Sequence, residues 1–570
     1  MFKMFNVKNL ETKKFNVKKL AVPVLGLALI VPTVAGFAPA QASAAATNIA
    51  ATAAQMSTMK ASAATPAVEL RSALDLLLSE HYQLAVNAMI TAYEGSPDAA
   101  AAYAALDQNA KDMLPAIESL YGKEGAAEFG RIFNAHNKAT DDLVKAQKAG
   151  NTAAVQAAEA NLEKFIKEFS AFLGTATGGK LPQATAEQVL RLHEGQVQEA
   201  FDKHVAGDFK GAYTSYRTGL STMFTISEAL STAIVTQMPE KFQNTKSDTP
   251  AGDLRSALNY LFAEHFALAT LQMKEQYNGM SASSNALVAA EAANTKDFKA
   301  AIASVYGAAG ADQFEKLWTT DHINVQAQYV AAVKSEDQAA ITAAKAQITK
   351  FTKEMAAFLA AATENRIPEA GALEGLTAHE NQVQQVLDQY AAQDYTGSYK
   401  TEREGYALMF GVGKLLSGAL VDQFNSNFQE PAMTPAKPDP ANLNIMTVKL
   451  QVGSPNLTLN GKTTKMDTMP RVWSGTTYVP LRFLSEGIGA DVKYDNKTKA
   501  VTVKAGSDTL KFWLNKDFME VNGKRQPVGH KVFADENGRT VVPLRFITGL
   551  LGWDIAVNSS NWTITLTKSM

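Results

Sequence analysis

Leu70-Arg-Ser-Ala-Leu74 returns as Leu254-Arg-Ser-Ala-Leu258, 184 residues further on. Working outward, Glu80-His81 matches Glu264-His265, Met89 matches Met273, and Tyr121-Gly122 matches Tyr306-Gly307. Lys164-Phe165 aligns with Lys350-Phe351, His193-Glu194 with His379-Glu380, and Tyr213, Arg217, Met223 and Phe224 with Tyr399, Arg403, Met409 and Phe410. Self-similarity over so long a period is a duplication of a whole folding unit. Within a copy, Leu70, Leu74, Leu77, Leu78, His81, Leu84, Ala85, Ala88 and Met89 recur at three- and four-residue spacing, which predicts one apolar stripe on a helix. Breaks are expected at Gly95-Ser-Pro97, Gly122, Gly150-Asn151, Gly178-Gly179 and Gly207-Asp208. They divide each copy into about six helices joined by short connections, so neighbours run antiparallel and the copy is an all-α helical bundle. The acidic residues fall mainly on the predicted polar faces.

The boundaries follow from composition. Residues 1–19 carry six Lys, Leu20 to Phe37 is uncharged and mostly apolar, and Ala-Pro-Ala-Gln-Ala-Ser-Ala follows at 38–44. That order predicts a secretory signal peptide over 1–44, cleaved after Ala42 or Ala44, and then a flexible segment over 45–65. The bundles are expected at 66–242 and 254–428, with a polar linker over 243–253. Residues 429–444 hold four prolines between Pro431 and Pro440 and read as an extended spacer. From 445 to 570 the pattern changes to short alternating runs rich in Thr and Val, punctuated by Asn460-Gly461, Asn522-Gly523 and Asn537-Gly538, which is β structure with tight turns. Tyr478-Val-Pro-Leu-Arg-Phe483 matches Val541-Val-Pro-Leu-Arg-Phe546, so this region is duplicated too. Each half is expected to be strands, one short helix (484–489 and 547–552) and a closing hairpin.

Composition excludes several functions. Apolar residues at 46% and charged residues at 19% suffice for real cores. Without residues 1–44 the chain has 48 basic and 55 acidic residues, which argues against nucleic acid as a partner, because a basic face supplies most of that affinity. There is no cysteine, hence no disulfide, thiolate metal site, iron–sulfur cluster or thiol catalysis. Beyond the leader no stretch is long enough to span a bilayer. A basic leader and a Cys-free exported chain suit a Gram-positive envelope, with a secreted location, cell-wall association, and cell-wall polymer or envelope proteins as partners.

The doubled Val-Pro-Leu-Arg-Phe box, the helix after it and the closing hairpin resemble the copper amine oxidase-like N-terminal domain, the stalk domain, over 445–570. The resemblance implies a small extracellular α+β module that attaches or spaces. In the oxidases this domain carries neither copper nor quinone, so amine oxidase activity is not implied. The nearest string to the quinone-forming Tyr context, Val492-Lys-Tyr-Asp-Asn496, lacks it. The helical copies resemble a helical region of secreted bacterial proteins that brings no activity with it. Arg482 and Arg545 recur at one position of the box and read either as anion binders or as arginines bonding carbonyls at a strand-to-helix junction.

Six of the eight histidines form matched pairs: His81/His265, His136/His322 and His193/His379. On the first, third and fifth helices of a copy, three imidazoles can meet in the bundle core as metal ligands do. Three imidazoles suit zinc, copper, nickel or iron, and the paired Met89/Met273 and Met223/Met409 would shift the preference toward copper. Haem is an alternative cofactor. Glu80/Glu264 and Glu194/Glu380, adjacent to paired histidines, point about 100° away from them and read as outer or surface groups. From Phe129 to His136 is seven residues and from Phe314 to His322 eight, so His322 is turned away unless a bulge absorbs the extra residue. Two other readings stay open: histidines that are merely packed in the core of a structural or adhesive wall protein, and a metal-dependent redox protein. No catalytic constellation appears. There is no Gly-x-Ser-x-Gly, no phosphate loop and no His-Glu-x-x-His.

Overall fold

The computed structural model describes residues 60–429 and, apart from 460, 474–475, 483–490, 496, 506–507, 515, 536, 545–553 and 559–562, residues 445–569. The chain is mostly helical before 429 and strand-rich after 445. The leader and the Pro-rich spacer lie outside the described residues. Among the described residues no helix is long and apolar enough to cross a membrane.

The first copy comprises α1 (Pro66–Glu94), α2 (Ala99–Lys148), α3 (Thr152–Ala176), α4 (Gln183–Val205) and α5 (Phe209–Gln237). The second comprises α6 (Pro250–Asn278), α7 (Ser281–Trp318), a π-helical turn at Thr319–Ile323, α8 (Asn324–Lys334), α9 (Gln338–Ala362), α10 (Glu369–Ala391) and α11 (Tyr395–Gln423). Each copy starts alike. Thr65 accepts a bond from Val68 N and Thr249 from Gly252 N, each with proline in the first helical position, where the missing N–H costs nothing. Helix α6 thus begins at Pro250, four residues before the expected boundary. Asp208 and Asp394 cap α5 and α11 in the same way.

The expected breaks coincide with the left-handed residues of the first copy. Gly122 (φ 74°) kinks α2 into two helical halves, and Gly307 (φ 73°) does so in α7. Where the first copy uses Gly150, Gly178, Gly179 and Gly207, the second reaches the same backbone with Glu336, Glu364, Asn365 and Gln393, all at positive φ. The turn geometry therefore outlasts the residue best suited to it.

The two copies share one core. Phe224 and Phe410, equivalent residues, stack at 6.3 Å with their planes 5° apart. Around this pair the contacts are reciprocal. Arg217 of the first copy bonds Glu264 and Asp297 of the second, and Arg403 of the second bonds Glu80 and Asp112 of the first. Arg71 pairs with Asp253 and Arg255 with Glu69. Ser256 bonds Asp75, and Asn259 bonds Ser72. This is the pattern of a twofold-symmetric dimer written into one chain.

It corrects the expectation of a one-sided stripe. Helix α1 buries Arg71, Ser72, Asp75, Glu80 and Gln83 as well as Leu70, Leu74, Leu77 and Leu84, because the second copy covers the face that reads as solvent-exposed. Glu80 and Glu264 are therefore neither surface groups nor part of the histidine cluster. The connection between copies is equally tied down: Phe242 and Ser247 are buried, and Arg71 donates to Ser247 O at 3.1 Å. Residues 60–65 are also docked rather than loose. Ala63 packs with Ala251 and Val421, and Arg255 donates to Ala63 O at 2.9 Å.

In the C-terminal region thirteen strands are described: β1 (Ile445–Gln451), β2 (Asn456–Leu459), β3 (Lys462–Lys465), β4 (Arg471–Trp473), β5 (Thr476–Pro480), β6 (Asp491–Asp495), β7 (Ala500–Ala505), β8 (Asp508–Trp513), β9 (Lys516–Val521), β10 (Lys524–Ala534), β11 (Thr540–Pro543), β12 (Asp554–Asn558) and β13 (Thr563–Ser569). They form sheets of five (β12-β13-β1-β2-β3) and eight (β4-β5-β11-β10-β9-β8-β7-β6). β5 (Thr476–Pro480) and β11 (Thr540–Pro543) carry the two boxes and pair antiparallel with Val479 opposite Val542, so this duplication also meets itself. The closing hairpins are β6–β7 (Asp491–Asp495, Ala500–Ala505) and β12–β13 (Asp554–Asn558, Thr563–Ser569). The first strand, Ile445–Gln451, runs antiparallel to β13 and joins the ends of the module. The expected helices at 484–489 and 547–552, and Arg545, fall outside the described residues. Arg482 is exposed.

Candidate metal centre

Helix α1 carries His81, the second half of α2 carries His136, and α4 carries His193. Their ligand nitrogens lie within 4.8 Å of one another, and all three side chains are buried. In the second copy His265 on α6, His322 in the π-helical turn and His379 on α10 do the same. The five-residue π-turn takes up the extra residue, so His322 faces the cluster. Such turns are rare and concentrate at functional sites.

Aromatic rings fix the imidazoles. His136 stacks on Phe165 at 4.1 Å and His322 on the equivalent Phe351 at 4.5 Å. His81 tilts against Phe133 and His265 against Trp318. Carboxylates stand behind the rings. Glu380 Oε1 lies 2.9 Å from His322 Nδ1, Glu194 Oε1 is 3.6 Å from His136 Nδ1, and Glu291 Oε1 is 3.4 Å from His265 Nδ1. With Nδ1 turned to a carboxylate, Nε2 is left for the centre, the arrangement that orients and strengthens a metal-ligating histidine. His265 Nε2 and His322 Nε2 are 3.1 Å apart, close to the roughly 3.3 Å between two nitrogens bound at about 2.0–2.1 Å to one tetrahedral ion.

Burial sets the electrostatics of the site. Burial holds His136 at about 3, His193 at about 4 and His379 at about 3, and pushes His81 well below the ordinary imidazole range. Neutral imidazole is the ligating form. Burial also raises Glu194 to about 8. Burial raises Glu380, but His322 together with His379 and His265 outweighs that and leaves it below its usual range. Both nitrogens of His81, both carboxylate oxygens of Glu291 and Nδ1 of His193 and His379 are buried without a hydrogen-bond partner. Each such group costs about 1–3 kcal/mol.

Met223 lines the same cavity as the first triad. Met89 and Met273 follow His81 and His265 by eight residues on an unbroken helix, about 12 Å of rise. All four paired methionines, Met223 included, belong to the shared hydrophobic core. The fourth first-copy histidine, His204, is outside the cluster and bonds Glu94 at 2.8 Å, while its counterpart Tyr390 bonds Asn278, the counterpart of Glu94. Sequence reasoning missed Phe165/Phe351 as ring supports, although both lie in the matched repeat. It also missed Glu291, whose counterpart Leu106 gives no repeat signal.

Residues 441–502 and 458–566 match the copper amine oxidase N-terminal domain family. The helical region, which holds both triads, lies outside these matches. No curated protein and no solved structure matches the chain. The C-terminal region thus resembles the copper amine oxidase N-terminal domain, and it follows two helical copies that each gather three buried histidines.

Proposed function

We propose that the protein is a secreted, envelope-associated, non-enzymatic binding protein whose two helical copies each hold one transition-metal ion through a histidine triad, displayed by the C-terminal domain. The observation that carries this reading is the convergence, twice, of three buried imidazoles with unpartnered nitrogens and a carboxylate behind at least one of them. Zinc and copper both suit three imidazoles. Met223, which lines the cavity that the first triad also lines, is a soft donor that would favour copper there. Haem fits poorly: the cavity beside the first triad is about 100 Å³, whereas pockets for larger organic ligands run to roughly 300–1,000 Å³. The leader-like N-terminus and the family of the C-terminal domain support export and attachment to a cell-wall polymer or envelope protein.

Elemental analysis and an absorption spectrum of natively purified protein test the reading. Two metal equivalents per chain are expected, falling to one in the variant His81→Ala, His136→Ala, His193→Ala, with no Soret band. Protein that stays metal-free after incubation with copper and with zinc would instead make the histidines packing residues.

A further inference from the structure

We propose that the first helical copy binds one medium-length alkyl chain in a slot that ends at its histidine triad, and that the second copy does not. The slot is walled by α1 from Leu70 to His81, eleven residues and so about 16 Å of helix. His136 and His193 close the same end as His81, and Leu181 and Ile234 line it as well. A void of about 100 Å³ drawn out over that length is narrow. It takes a chain more readily than a ring. The walls are almost wholly hydrocarbon, so water, which needs two to four polar partners, gains little inside, and apolar cavities of this order stay dry and accept apolar guests.

The second copy carries larger side chains at three of the corresponding places along α1 and α2. Phe262 stands for Leu78, Phe298 for Met113 and Trp318 for Phe133. These rings pack on one another, Phe262 on Phe298 at 4.9 Å and Phe298 on Trp318 at 5.1 Å. The duplication has kept the triad in both copies, and these rings stand in the second where the first has the cavity-lining Leu78, Met113 and Phe133. The slot's existence does not depend on a cation at the triad, although a cation there would meet the end of the chain.

Isothermal titration calorimetry with 1-decanol on the full-length protein, once chelated and once zinc-loaded, tests this. One equivalent per chain is expected. Met113→Phe, which imports the second copy's own residue, should weaken binding at least tenfold while leaving the metal content as in the parent. If Met113→Phe fails to fold by circular dichroism, Leu78→Phe makes the same test from α1. Absence of decanol binding, two equivalents, or unchanged binding in the folded variant overturns the proposal. Decanol binding without metal uptake would sink the metal reading alone, and metal uptake without decanol binding would sink the slot alone.

Discussion

Replacing Arg403 by Met strips a buried carboxylate of its cation. The guanidinium donates to Glu80 at 3.1 and 2.9 Å and to Asp112 at 2.7 Å. The Glu80 side chain is 5% exposed, and the partner left to it is Asn109 Nδ2 at 2.7 Å. Removing one member of such a pair costs about 3–5 kcal/mol, because the other charge stays buried. Asp112, 30% exposed, adds only about 0–1 kcal/mol. Against a total stability of about 5–15 kcal/mol, the change is large. In the double variant Arg403→Met, Glu80→Leu most of the loss should return, since Asn109 keeps its bond to Leu77 O. The assay is urea unfolding of the full chain followed by far-UV circular dichroism. The exposed pair Lys138–Asp142 serves as the control, and Lys138→Met should cost under about 0.5 kcal/mol. Because the core is common to both copies, the helical signal should be lost in one transition. A cost below about 1 kcal/mol for Arg403→Met, or a double variant no better than the sum of its parts, would refute the reasoning. So would a biphasic curve in which one copy melts alone.

Arg217→Met, at the equivalent position, should cost at least as much, because the Glu264 side chain is fully buried, and the same curves read it. Chelated protein should lose stability on acidification from about pH 6.5 toward 4. His136, His193 and His379 are held near 3, 4 and 3 in the folded state, so over that range the unfolded chain binds more protons. Glu194, raised to about 8, acts in the opposite sense as pH falls from 8 to 4.5, so Glu194→Gln should steepen the acid loss in the same titration. Deleting Thr320 should turn the π-turn into regular helix with the seven-residue spacing of the first copy and keep the second metal equivalent; loss of that equivalent by elemental analysis would contradict the equivalence of the two triads. Limited proteolysis should spare 239–249, where Phe242 and Ser247 are buried, and cut within the Pro-rich 429–444; early cleavage at 239–249 would contradict the docked connection.

Periodicity carried the helices, their breaks and the three-histidine cluster because each is a local property: a stripe, a glycine, a spacing. The six matched histidines read correctly as one cluster per copy, and the odd spacing before His322 was visible as an anomaly whose structural answer is the π-turn. What could not be read is which way the polar face of α1 looks. Arg71, Asp75 and Glu80 have the composition of a solvated face, and only their partners in the other copy show otherwise. The matched pairs Arg71/Arg255, Glu80/Glu264 and Arg217/Arg403 held a clue, since charges that recur with the core pattern are candidates for contact between copies. The same reasoning separates the sites. Features inherited by both copies, the triad and its stacked phenylalanine, are found by comparing the halves. Features found in one half alone, such as Glu291 beside His265 where the first copy has Leu106, are invisible to that comparison. They are also the features by which the two sites can differ in what they bind, because a second buried carboxylate behind the His265 triad and the hydrocarbon-walled cavity beside the His81 triad change the charge and the space offered to a ligand.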